Sequence, residues 1–136
     1  MAKPLRSYRY TDVALHRSRE QIETLLAKVG ADGFRWSSFG NREVFEALLG
    51  LRGKRIAFRL SIAYSGEQER RQYLRALYWY LKAKVEAIIF GLVDIEREFL
   101  PHLLTASGRT VFEELEMTER PGWLLEAPKE AAEPAL

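Results

Sequence analysis

Apolar residues recur along this 136-residue chain with two different periods, and the switches between them mark out the elements. Ile22, Leu25, Leu26 and Val29 fall on one helical face. Ser18 followed three residues later by Gln21 forms a capping-box pattern ahead of that face, and Gly30 supplies the left-handed stop expected past a helix end. The period then shortens to two. Ile56, Phe58, Leu60 and Ile62 alternate with Arg55, Ala57, Arg59 and Ser61, which predicts a strand with one buried and one wet face. Segments 34–39 and 43–51 have the same strand character. Gly40-Asn41 and Arg52-Gly53-Lys54 are short connectors able to supply positive φ, so an antiparallel meander is expected. Residues 8–16 alternate tyrosine, valine and leucine with polar residues, and residues 1–17 read as an N-terminal arm or edge strand.

Helical spacing returns from about residue 67 to residue 90. Leu74, Leu77, Leu81, Val85 and Ile88 make one stripe, and Tyr73, Ala76, Tyr80, Ala83 and Ala87 make a second beside it. A helix apolar on two sides needs two sets of partners: the sheet for one stripe, and later helices or a partner chain for the other. Lys82, Lys84 and Glu86 in its middle favour a core helix over a membrane span. Asp94 is placed to cap a helix running to about Leu104 and bent at Pro101, and Thr110 with Glu113 opens a last short helix. Residues 18–117 are thus expected to form a single α+β domain. It comprises an N-terminal helix, a three-stranded antiparallel meander, a long helix packed across the sheet and short C-terminal helices. Helix, three strands, helix is also the order of double-stranded RNA-binding domains, an analogy of fold alone. From residue 118 proline, alanine and glutamate predominate, and 118–136 read as a flexible tail whose Trp123-Leu124-Leu125 is suited to docking on a neighbour.

Composition narrows the chemistry. The chain has no cysteine, which removes thiol catalysis, cysteine-ligated zinc and disulfides, and fits a reducing cytoplasm. A balance of 47% hydrophobic and 29% charged residues is that of an ordinary globular protein. The net charge of +2 permits an anionic partner without requiring one. No apolar targeting segment follows the basic N-terminus, so export is not expected and a cytoplasmic location is. Asn41 is the sole asparagine, a composition that leans toward a thermophilic or GC-rich source.

The basic hairpin residues Arg52, Lys54, Arg55 and Arg59, with Arg35 and Trp36 beside them in the sheet, suit phosphates and a stacked base. The alternative is a solvated strand face with Trp36 in the core. Arg70, Arg71 and Arg75 are candidates to extend the cluster. Tyr78, Trp79 and Tyr80 point in three directions around the long helix, so Tyr78 and Trp79, with Trp123 of the tail, are candidate protein-interface residues; packing within the chain is the alternative. Glu98 and His102 have the spacing of a helical carboxylate–imidazole pair, but two histidines and no cysteine make a metal site a minor reading beside a structural one. Gly50-Leu51-Arg52-Gly53-Lys54 lacks the spacing and context of a phosphate-binding loop. No catalytic residue, metal or cofactor is expected, and the chain reads as a non-enzymatic binding protein.

Several blocks occur in an order that resembles a family of small proteins encoded by tailed phages and prophages. They are Ser18-Arg19-Glu20-Gln21-Ile22-Glu23, Gly30-Ala31-Asp32-Gly33-Phe34, Gly53-Lys54-Arg55-Ile56-Ala57-Phe58, Leu81-Lys82-Ala83-Lys84-Val85-Glu86-Ala87, Glu96-Arg97-Glu98-Phe99-Leu100-Pro101-His102 and Gly108-Arg109-Thr110-Val111. The resemblance covers about residues 11–115; the short linker 65–69, the aromatic trio 78–80 and the tail depart from it. It implies a phage accessory protein in a replication, recombination or transcription setting. Nucleic acid bound through the hairpin is the first expectation, and a modulator of host machinery such as RNA polymerase the second. A second copy of the chain is a further candidate partner, and a membrane is not.

Overall fold

A computed structural model of the protein describes residue 8 and residues 11–118, 122 and 124–128, and shows an α+β architecture. Helix α1 (Leu15–Ala27) leads into strands β1 (Asp32–Phe39), β2 (Arg42–Leu51) and β3 (Lys54–Ala63). The long helix α2 (Glu67–Ile89) follows, then α3 (Ile95–Phe99), a 3-10 turn (Leu100–His102) and α4 (Val111–Glu116). The strands form an antiparallel sheet in the order β1-β2-β3.

Both hairpins are tight. Phe39 pairs with Arg42 around Gly40, whose φ is +57°, and Leu51 pairs with Lys54 around Arg52 and Gly53 at +52° and +75°. Two successive positive φ values are what a type I′ turn requires, and Arg52 adopts one without being glycine. The alternation read from the sequence defines the sheet's two faces. Phe45, Ala47, Leu49 and Phe58 turn inward and join Ile22 and Leu26 of α1 and Leu81 and Val85 of α2 in one buried cluster. Rings extend this core across the strands: Trp36 lies 4.3 Å from Phe45, Phe45 5.8 Å from Phe58, and Phe58 5.0 Å from Phe99 of α3.

Three local expectations are corrected. Within the described part of residues 8–16 there is no strand; Leu15 and His16 already belong to α1. That helix starts at N-cap Ala14, so Ser18 is no cap: it heads the buried stripe Ser18, Ile22, Leu25, and its hydroxyl has no hydrogen-bond partner among the described residues. A serine at the top of an apolar stripe looks in sequence like a serine just outside it. The predicted single helix after Asp94 ends at Phe99, because Pro101 turns the chain into the 3-10 geometry. Beyond it, Leu103 bridges to Phe58, and the Leu104 amide donates to the Ala57 carbonyl at 2.8 Å, so this segment covers part of the free edge of β3. The caps at Asp94 and Thr110 do form, the latter as a reciprocal capping box with Glu113.

Candidate interaction surfaces

The predicted basic hairpin is embedded in carboxylates. Arg35, Glu46 and Arg59 lie in register across the three strands on the sheet's outer face. Glu46 accepts from Arg35 Nε at 2.9 Å and from Arg59 Nε at 3.1 Å. Burial pushes the Glu46 carboxyl up, but these two guanidinium groups more than offset that and hold it below the ordinary carboxylate value. Arg59 also donates to the Gly108 carbonyl at 3.1 Å. Arg52 pairs with Glu96 of α3 at 2.8 Å, and Arg55 pairs with Asp32 at the start of β1. Lys54 alone of the five predicted phosphate contacts has no carboxylate partner among the described residues.

Trp36 lies on the opposite face from Arg35. Its indole N–H donates to Glu23 at 2.8 Å, its ring packs on Phe45, and the Arg19 guanidinium lies 5.3 Å from its centre. The core reading of this tryptophan therefore holds. Arg70, Arg71 and Arg75 do not extend the hairpin cluster. Arg70 reaches Glu43, near the other end of β2, Arg71 binds Gln68, and Arg75 binds Gln21 while its guanidinium covers the Tyr78 ring at 4.2 Å.

Glu98 and His102 serve different neighbours. Glu98 accepts from Lys84 Nζ at 2.7 Å, and the 3-10 turn breaks the helical spacing that would have aligned the pair. Partial burial and the nearby Lys84 charge lower the His102 pKa, which favours the neutral imidazole. No cluster of metal-ligating side chains occurs among the described residues.

The outward face of α2 is where the structure departs most from an ordinary solvated helix. Opposite the buried Leu74, Leu81 and Val85, the residues Trp79, Ala83, Glu86 and Phe90 recur at helical spacing and are all exposed. Trp79 is 45% exposed, Tyr80 48%, Ile89 58% and Phe90 75%. Leu92, just after the helix ends at Gly91 (φ +78°), is 79% exposed. Lys82 Nζ lies 4.7 Å from the centre of the Trp79 ring, and Lys84 Nζ 4.6 Å from that of Tyr80. Tyr78 instead turns inward and meets Trp79 edge-on. The second stripe seen in the sequence is divided: Tyr73, Ala76 and Ala87 are half-buried, and Tyr80 and Ala83 are exposed beside Trp79 and Phe90. Sequence reasoning singled out Trp79 but missed Ile89, Phe90 and Leu92, whose signal was an apolar run persisting past the last charged residue of the helix. Trp123 lies outside the described residues, and its neighbours Leu124 and Leu125 are exposed.

No protein-family model, curated protein or solved structure matches this chain. Among the described residues no helix is long and apolar enough to cross a membrane.

Proposed function

We propose that this is a non-enzymatic protein-binding module whose contact surface is the outward face of α2. The observation that carries the reading is the exposure of Trp79, Ala83 and Phe90 along one face of the helix, with Tyr80 exposed on one flank of that face and Ile89 on the other. Contiguous apolar surface of this kind marks interaction sites, and aromatic side chains supply much of the energy in such contacts. The phage setting implied by the sequence resemblance makes host machinery, RNA polymerase included, one class of target. A photocrosslinking residue placed at Ala83 tests the reading, with the same residue at Lys54 as comparison. Defined protein adducts from position 83, lost on Phe90→Ser, are expected. Adducts from position 54 alone would overturn it.

A second reading, nucleic-acid binding through the hairpin, is favoured by one observation. Arg52 and Arg55 keep side chains 81% and 55% exposed, and exposed ion pairs such as theirs contribute only about 0–1 kcal/mol, so a phosphate can displace Glu96 or Asp32. In that case affinity falls with salt, with a log–log slope of about −0.7 to −0.9 per phosphate neutralised, and Lys54→Glu with Arg55→Glu flattens it. Binding that is absent at low salt removes this reading.

A further inference from the structure

We propose that the partner seated on the outward face of α2 is a second copy of this chain, the two α2 helices packing antiparallel about a two-fold axis. The inference rests on the reading of α2 as a binding face and names what fills it. Its support is the order of residues along the stripe, which is complementary to its own reverse. Trp79 and Phe90 bracket the stripe about 16 Å apart, at 1.5 Å rise per residue, with the small Ala83 between them. Reversing one helix against the other sets Trp79 of one copy level with Phe90 of its partner, and Ala83 level with Glu86. Near the middle the small Ala83 of each copy leaves room for the Glu86 side chain of the other.

Charge selects the same arrangement. Glu86 lies at one margin of the stripe with Lys82 beside it on that flank, and neither has an ion-pair partner among the described residues. In an antiparallel pair the same flank of each helix meets, so Lys82 of each copy faces Glu86 of the other, giving two identical ion pairs. A parallel pair would place that flank against the opposite one, where Tyr80 and Ala87 lie, and would form neither. A surface that is self-complementary in shape and charge is what a two-fold interface requires.

Sedimentation equilibrium of the full chain tests this. Wild type should self-associate, and Lys82→Glu or Glu86→Lys alone should weaken association about tenfold, because the symmetry places each like-charge contact in the dimer twice. The double exchange, Lys82→Glu with Glu86→Lys, should restore the wild-type dissociation constant to within about threefold, since both pairs re-form with reversed sign. Far-ultraviolet circular dichroism establishes that each variant keeps its helix content. A monomeric wild type, or a double exchange no better than either single change, overturns the proposal. Should wild type be monomeric while the crosslinker at position 83 still yields adducts with another protein, α2 stands as a binding face and only its occupant is wrong. Should it yield none, the binding-face reading falls as well.

Discussion

Replacing Glu43 with glutamine should be among the most damaging conservative changes in this protein. Glu43 is 1% exposed, yet its carboxylate is the shared acceptor for Ser38 Oγ at 2.6 Å, for Arg70 Nη2 at 2.8 Å and for Arg19. The cluster ties β2 to β1 and to the first turns of both long helices. Glutamine preserves the shape and removes the charge, leaving two guanidinium groups facing a neutral amide. Breaking a buried pair from one side costs about 3–5 kcal/mol. Some of that is relieved here, because the Arg19 and Arg70 side chains are 27% and 14% exposed and Arg70 retains Glu67 at 3.1 Å. The expected loss is therefore about 2–3 kcal/mol, or roughly 6–12 °C in Tm for a domain of this size. Thermal unfolding followed by circular dichroism measures it. The pH dependence provides an independent check. Burial pushes the Glu43 carboxyl up, but its hydrogen bonds from Ser38, Arg19 and Arg70 hold it below the ordinary value of 4.5. A depressed folded pKa contributes stability that is complete above 4.5 and lost as the pH falls through the folded value. The gap between wild type and Glu43→Gln should thus be widest near neutrality and close in acid. A Tm change under about 2 °C at neutral pH, or a gap independent of pH, would refute the reasoning.

Two further changes probe the frame that presents α2. Arg52→Gly should raise stability by up to about 1 kcal/mol, because glycine accepts the left-handed φ of +52° without the steric cost borne by arginine; a lower urea midpoint would contradict that account of the turn. Thr110→Ala removes the half of the capping box at α4 in which the Thr110 hydroxyl accepts from the Glu113 amide, leaves the backbone half, and should cost about 1 kcal/mol, read from the same urea transition, with no change indicating that α4 contributes nothing to the cooperative unit.

Much of the frame was legible in the chain because local chemistry and burial agree there. The alternation from Arg55 to Ile62 has one period and one buried face, and each hairpin connector carries a glycine, Gly40 or Gly53, at a position of positive φ. Legibility ended where a residue's role depends on what lies across from it. The charge of Arg52, Arg55 and Arg59 is plain in sequence, but Glu96, Asp32 and Glu46 lie up to 44 positions away, and nothing in the local pattern reveals that they meet. Ser18 carries the same ambiguity at shorter range. Its hydroxyl fits a cap, and only the earlier start of α1 moves it into the core stripe. That α2 carries more apolar residues than its core stripe uses could be read, but which of them the last helices would leave exposed could not. Those helices are short, and Leu103 and Leu104 engage the edge of β3.

The claim that the outward face of α2 pairs with a second copy of the chain is tested most directly by the mass of the chain in solution. Sedimentation equilibrium compares wild type with Trp79→Ser/Phe90→Ser over a wide concentration range, where mass action governs assembly. The account predicts a wild-type mass rising toward twice 15.7 kDa with concentration, and a folded double variant that stays at 15.7 kDa. Two proteins that both remain at 15.7 kDa throughout would contradict it.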